Sequence, residues 1–384
     1  MQKLIRVTTV PISLEKLLNG QWDFFGKHYD ITAVSSDKER LEKFGSDFKI
    51  KTFHVPLTRK ITPFQDLKSI WILYKFFKKE EPKIVHSLTP KAGLIAMSAA
   101  FLAQVPIRLH DVVGLPLMEK TGFKYYLLFY VEKLVYALSH RIYPNSFGLK
   151  RYISNIKLAS DKKMKVLANG SSNGLDISTF SKKLFSDKKM NSLKKKLNIN
   201  TSDFVYLFVG RLVGDKGINE LVKAFVMLTK NDLKVKLLLV GFYESDLDPL
   251  RSETIKKIEQ IGQIITVGYK EDIRPYLAIS SCFVFPSYRE GFPNVILEAA
   301  SMELPCIVTD INGSNEIIED RFNGIIVPKK DTTALRDAML EIKENEALMK
   351  LCIKNSRSSV SEKFGKESFY NSLLSEYKSL EFDL

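Results

Sequence analysis

Short runs of β-branched and aromatic residues recur along the chain. Each is followed by a polar or glycine-containing break and then by a stretch whose apolar residues return every three or four positions. A strand of period two followed by a helix of period 3.6, repeated many times, is the pattern of parallel α/β sheets. In the first half the pattern predicts strands over 4–9, 31–35, 51–55, 84–87, 107–110, 141–143 and 165–167. In the second half it predicts strands over 204–209, 236–240, 264–267, 282–285, 306–309 and 324–327.

Two series of strands predict two α/β domains, and 384 residues suit two domains of ordinary size. The first is expected over 1–177 and the second over 201–363. Between them, 178–200 is expected to be a linker and opening helix, because Lys182, Lys183, Lys188, Lys189, Lys194, Lys195 and Lys196 leave few core candidates there. A last helix over 364–384 is free to return to the first domain. Open parallel sheets bind ligands beyond the carboxyl ends of their strands. The positions just after the strands are Thr8-Thr9, His86-Ser87, His110-Asp111, Asn145-Ser146, Asn169-Gly170, Gly210-Arg211, Gly241 and Pro286-Ser287, all small or polar.

Composition narrows the class without choosing a function. Hydrophobic residues at 45% and charged residues at 27% are the mix of a packed globular protein and exclude a disordered chain. Three widely spaced cysteines, Cys282, Cys306 and Cys352, make no metal-type pairing and fit a reduced cytosol. Arg6, Pro11 and Glu15 interrupt the N-terminal apolar run too early for a signal-peptide core, and no uncharged apolar stretch approaches spanning length. A net charge of +14 calls for an anionic partner: lipid, nucleic acid or a phosphorylated substrate.

Two segments carry candidate chemistry. In Gly210-Arg211-Leu212-Val213-Gly214-Asp215-Lys216-Gly217, after a strand and before a helix striped by Ile218, Leu221, Val222 and Phe225, Arg211 and Lys216 are either diphosphate ligands or solvated surface cations. The second segment, Pro286 to Ala300, is more specific. Pro293 suits the first helical position, which puts Glu290 in the loop before the helix and Glu298 more than a turn inside it. The backbone N–H groups of Gly291, Phe292, Asn294 and Val295 are then expected to face an anion over the helix start.

Glu290 and Glu298, with seven residues between them, and the Gly-Arg-Leu…Lys-Gly loop together resemble the retaining glycosyltransferases of family four. The similarity runs nearly end to end. Leu18-Asn19-Gly20-Gln21, Leu57-Thr58-Arg59, Thr89-Pro90-Lys91-Ala92-Gly93 and Asn169-Gly170-Ser171-Ser172-Asn173-Gly174 look like the branch that builds capsular and other cell-surface polysaccharides. The resemblance implies two Rossmann-like domains facing across a cleft (the GT-B fold), with the acceptor on the first and the nucleotide-sugar, a UDP-sugar by preference, on the second. It implies that Arg211 and Lys216 hold the donor diphosphate, Glu290 a hydroxyl of the donor sugar and Glu298 the ribose. His110 is the first-domain histidine near the transferred sugar, or else a structural strand-end histidine. Gly20 matches the first-domain glycine loop, and Gly210 belongs to the donor-binding loop. Asp310, Asn312, Gly313 and Glu316 lie either in a donor-side loop or in a surface loop.

The same resemblance implies a lipid-linked saccharide acceptor and a cytoplasmic enzyme peripheral to the inner face of the plasma membrane. No obligatory cofactor or metal is expected, and Asp246-Leu247-Asp248 is read as a chance match to the metal motif of another transferase fold. A basic stretch from 115 to 165 contains ten Lys or Arg against three acids, interleaved with apolar residues from Phe123 to Tyr136. It is either a membrane-facing helix, with Lys120, Lys124 and Lys133 at anionic headgroups, or core packing. Two rivals stand beside the transferase: a sugar-nucleotide epimerase of the same fold, and a basic nucleic-acid-binding protein, which lacks any base-reading motif. Nucleic acid is therefore not expected as a partner.

Overall fold

The computed structural model describes residues 1–58, 60–229, 233–244 and 248–383, with the side chains of residues 119 and 383 also left aside. Arg59 of the Leu-Thr-Arg motif, and Asp246 and Leu247 of the metal-like motif, lie outside the described residues. Contacts divide the chain into two units, Met1–Gly174 with Lys366–Leu384 and Leu175–Gly365.

The first unit holds six parallel strands: β1 (Lys3–Val7), β2 (Asp30–Ser35), β3 (Lys51–His54), β4 (Ile84–Leu88), β5 (Ile107–Val112) and β6 (Arg141–Pro144). Their order in the sheet is β3-β2-β1-β4-β5-β6. The second unit repeats the plan with β7 (Phe204–Val209), β8 (Val235–Val240), β9 (Ile264–Thr266), β10 (Cys282–Phe285), β11 (Cys306–Thr309) and β12 (Gly324–Val327), in the order β12-β11-β10-β7-β8-β9. Each is a doubly wound, Rossmann-like sheet. Helices cover both faces, so central strands carry near-continuous apolar runs: every residue of β4, β10 and β11 is buried. In each sheet the winding reverses at one place, between β1 and β4 and between β7 and β10. A crevice opens there at the carboxyl ends.

One expected strand is absent. Residues 165–167 form no ladder; Met164 makes a single bridge to Ile142, and Lys165 N donates to Ile142 O at 3.0 Å. The chain then turns, with Ala168 at φ 46° and Gly170 N bonded to Leu167 O at 2.9 Å, so the pairing cannot extend. The lysine-rich stretch after residue 178 contains a short 3₁₀ turn, Lys182–Leu184, and the helix Asp187–Lys196, both in the second unit. Cys282, Cys306 and Cys352 are buried free thiols.

The C-terminal helix Lys366–Asp383 belongs to the first unit and packs its aromatic face on the helix Gln21–Phe25. Tyr370 lies against Phe24 and Tyr377 against Phe25. Tyr377 also closes a buried polar cluster on β1, β4 and β5. Arg6 Nη1 lies 2.7 Å from both Tyr377 Oη and His86 Nδ1, and Arg6 Nη2 is 3.3 Å from Asp111 Oδ2. Because a guanidinium only donates, Nδ1 of His86 is the acceptor and its proton sits on Nε2, 3.0 Å from Asp111 Oδ1. Burial and then the Arg6 charge lower the His86 pKa to about 4, so the ring is neutral. Burial opposes ionisation of Asp111, yet His86 and Arg6 outweigh it and hold the carboxyl below its usual range.

Removing the positive partner strands a buried carboxylate, whereas removing one hydroxyl leaves the ions paired. Arg6→Met should therefore destabilise the first unit by about 3–5 kcal/mol and Tyr377→Phe by about 1–3 kcal/mol. Urea unfolding read separately for each unit checks the order, and equal costs would contradict it.

Candidate functional site

In the second unit four loops at the carboxyl ends of β7, β8, β10 and β11 meet, and glycine is what lets them meet. A Cβ on Gly241, after β8, would lie 1.8 Å from the carbonyl oxygen of Gly210. Gly217, at φ 71°, would put a Cβ 2.1 Å from Pro286 O, and Gly313, at φ 77°, would put one 2.7 Å from Gly291 O. The Gly-rich pattern after β7 thus has a geometric reason: backbone packs on backbone where the winding reverses.

On this floor Lys216 and Glu290 form an ion pair, and Ser287 Oγ donates to the same Glu290 oxygen at 2.8 Å. Their side chains are only 15% and 16% exposed, and the Lys216 ammonium also lies 5.5 Å from the centroid of Phe285. Arg211, more open at 38%, pairs with Glu244. Sequence reading brought Lys216 and Glu290 forward separately, and the fold joins them across the β7 and β10 loops. It did not find Glu244, whose only sequence cue is a position shortly after β8.

The helix Asn294–Ser301 begins one residue later than expected. Pro293 is its N-cap, at φ −83° and ψ 95°, and not its first helical residue. Its extended ψ turns the chain into the helix, and the Pro ring packs close to Gly313, where a Cβ would meet Pro293 Cδ at 2.8 Å. Ile296 N donates to Pro293 O at 3.0 Å. The amides of Asn294 and Val295 therefore stand in the first turn, where the helix end is positive. Gly291 and Phe292 are buried in the loop before it, and Glu298 is half-buried one turn inside.

Asp248 accepts from Asp215 N at 2.5 Å and so fastens the turn that carries Lys216. Arg289 Nη2 donates to Asp215 Oδ2 at 3.1 Å. Among the donor-side loop candidates, Gly313 packs on Gly291 as above, and Asn315 Nδ2 donates to Asp310 Oδ1 at 2.8 Å.

In the first unit, His110 is buried near the carboxyl end of β5. Its Nδ1 is 2.8 Å from Ser87 Oγ, and a Cβ on Gly93 would strike the ring at 2.5 Å. Burial lowers its pKa to about 4. Gly20 is the N-cap of the helix Gln21–Phe25 at φ 83°, and a side chain there would meet the Tyr370 hydroxyl at 2.7 Å. That hydroxyl donates to Asn19 O at 2.7 Å, and so does Asn173 Nδ2 at the same distance. The first-domain glycine loop is therefore tied to the C-terminal helix and to the Asn169–Gly174 motif.

The apolar run from Phe123 to Tyr136 divides. On the helix Gly122–Leu138, Val135 and Tyr136 are buried, and Tyr125, Leu128 and Phe129 pack against the core. Phe123, Tyr126, Leu127, Tyr130 and Leu134 share the exposed face, with Lys124 and Lys133 also exposed. No helix among the described residues is long and apolar enough to cross a membrane.

The chain matches the family model "Glycosyl transferases group 1" over residues 189–359 and "Glycosyl transferase 4-like" over residues 18–146. It is 36% identical over 383 residues, 98% of each chain, to the capsular polysaccharide biosynthesis glycosyltransferase CapM of Staphylococcus aureus. It is 29% identical over 338 residues, 87% of this chain and 85% of the relative, to an Escherichia coli UDP-Gal:alpha-D-GlcNAc-diphosphoundecaprenol alpha-1,3-galactosyltransferase. Among solved structures, Anabaena HepE in complex with UDP superposes with a TM-score of 0.81 at 18% identity, covering 99% of this chain and 100% of that one. That likeness gives the fold class, two Rossmann-like domains of the GT-B type.

Gly241→Ala tests the loop geometry. The new methyl would press on backbone that cannot rotate away, so the second unit should lose about 3 kcal/mol, the upper end of overpacking costs. Thermal unfolding with an unchanged midpoint would contradict the close approach.

Proposed function

This chain belongs to the glycosyltransferase family described by those two models, and on that basis we propose the reaction it catalyses. It moves a hexosyl or N-acetylhexosaminyl group from a UDP-sugar to a lipid-linked saccharide, with retention at the anomeric carbon, in the assembly of a capsular or other surface polysaccharide. The observation that carries this reading is the half-buried Lys216–Glu290 pair, set where the β7 and β10 loops meet beside the first turn of the helix Asn294–Ser301. A cation, a carboxylate and a positive helix end together suit the junction of a diphosphate with a sugar. UDP and the lipid-linked acceptor class follow the relatives' names.

In this reading Lys216 and Arg211 grip the diphosphate, Glu290 accepts from a hydroxyl of the donor sugar, and Glu298 accepts from the ribose. Gly210, Gly291, Phe292, Asn294 and Val295 line the same place with backbone. The bond from the anomeric carbon to the diphosphate oxygen breaks as the acceptor oxygen bonds on the same face. The acceptor proton passes to the departing diphosphate. Charge grows on that leaving group, so Arg211, Lys216 and the helix end act mostly in the transition state. Each is worth about 3–4 kcal/mol on the scale of an oxyanion-hole donor. His110 serves as a neutral ring, consistent with its low pKa, and orients the sugar by hydrogen bonding.

For the membrane, the exposed face of the helix Gly122–Leu138 supports peripheral binding: five apolar side chains face outward together, with Lys120, Lys124 and Lys133 exposed around them. That arrangement suits insertion of an apolar face beneath anionic headgroups.

Two measurements test the proposal. In calorimetry, Glu298→Gln should weaken both UDP and UDP-sugar about tenfold, whereas Glu290→Gln should spare UDP and lower turnover. Equal losses of UDP affinity in both variants would contradict this division. In liposome sedimentation, the protein should bind anionic vesicles, and less so in high salt or in the Lys120→Ala/Lys124→Ala variant; binding indifferent to both changes would overturn the membrane assignment.

A further inference from the structure

The reversal point of the first sheet, between β1 and β4, carries a cavity of about 550 Å³. Thr9 and Val10 reach it from β1, and Thr89, Pro90 and Lys91 from β4. Its other walls come from residues 60–66 and from the helix Gly122–Leu138. The apolar part of the lining is aliphatic, with Ile61, Leu94, Leu127, Leu128 and Val131, and no aromatic ring lies among the lining residues. Aliphatic walls suit a hydrocarbon chain better than a sugar ring, which aromatic faces usually stack.

Glu132 interrupts this lining. It is 3% exposed, and its Oε2 is buried without a hydrogen-bond partner among the described residues. Burial raises its pKa to about 7, and the nearby Tyr136 hydroxyl offsets this only in part. The carboxyl is thus available as a proton donor in neutral solution, beside Lys60 and the Lys91–Asp66 ion pair at 2.5 Å. Such an unmet buried group is costly unless something binds it.

The cavity also opens on an apolar surface. Ile61 and Leu127 line it and are themselves exposed. Ile61 continues into Phe64, Leu67 and Trp71 of the helix Pro63–Glu80, where Phe64 is 91% exposed. Leu127 continues into Phe123, Tyr126 and Tyr130. Both helices pack on the helix Pro90–Leu102 between them.

We propose that this cavity takes the phosphate end of a polyprenyl diphosphate carrier, drawn from the bilayer between the two exposed helix ends. The first isoprenoid units lie along Leu94, Leu128 and Val131. The phosphate lies at Lys60 and Lys91, and the Glu132 carboxyl donates a hydrogen bond to it. This deepens the reading of a lipid-linked acceptor and rests on it.

The test uses farnesyl diphosphate and inorganic diphosphate as probes, by calorimetry on the full chain with UDP in saturating excess to fill the nucleotide site. Farnesyl diphosphate should bind at least tenfold more tightly than inorganic diphosphate. Leu128→Trp, which fills the cavity, and Glu132→Leu should each lose about tenfold, while Glu132→Gln, still a donor, stays near wild type. Lys60→Ala, on the surface and harmless to folding, should lose severalfold and so decides the matter if a cavity variant fails to fold. Equal affinity for the two probes, or unchanged affinity in Lys60→Ala, would overturn the cavity assignment. If farnesyl diphosphate binds as expected but no lipid-linked saccharide is elongated, the site stands and the acceptor reading falls; wild type that fails to bind UDP overturns the donor reading instead.

Discussion

A parallel sheet can be extended only by crossovers of one hand, and this constraint governs both halves of the molecule. With the order 3-2-1-4-5-6 the chain winds outward from its first strand, returns to the middle and winds the other way. The loops after the two central strands therefore diverge and leave a crevice at their carboxyl ends. In the second unit that crevice holds Gly210, Arg211 and Lys216 after β7 and the segment from Pro286 to Glu298 after β10. In the first unit it holds the aliphatic cavity beside Thr9 and Thr89. One backbone plan thus makes two places whose linings differ in chemistry, one charged and one largely aliphatic.

Glycine converts the crevice from a gap into a floor. Gly217, Gly241 and Gly313 let loops from separate strands touch through backbone, which a Cβ at any of the three would prevent. Charge then distinguishes the places where polar groups are buried. Arg6, His86, Asp111 and Tyr377 pair with one another and bind the C-terminal helix to the first sheet. Lys216 and Glu290 are less deeply covered and pair across two loops, and in the function proposed above a diphosphate and a sugar hydroxyl replace each ion's partner in turn. Glu132 is the third case, a buried carboxyl oxygen with no partner among the described residues.

Much of the fold was legible because its cause is local. Strands buried on both faces write continuous apolar runs, and twelve of the thirteen expected strands are present within a residue or two. Residues 165–167 read as a strand for the same reason, but a strand also needs a partner edge, and the chain there turns away after one bridge. Pro293 illustrates a finer limit: proline suits either side of a helix start, and the packing of the neighbouring glycine loop decided for the N-cap. The run from Phe123 to Tyr136 looked uniformly apolar, since sequence records which residues are greasy and not which face meets the core. The structure divides it residue by residue along one helix.

By itself the sequence determined the alternation of strand and helix, the two-domain α/β class, the glycine loops and the identity of the acids and cations that gather after the strands. Each of these follows from periodicity, from backbone freedom or from position relative to a strand end, all properties of neighbouring residues. Tertiary structure alone decided which charges meet. Lys216 and Glu290 are 74 positions apart, Arg211 and Glu244 are 33, and Arg6 and Tyr377 are 371. It also decided that Glu132, unremarkable on an apolar helix, would bury one carboxyl oxygen without a hydrogen bond among the described residues. Pairing over such distances depends on where crossovers bring strand ends together, and no local pattern records that.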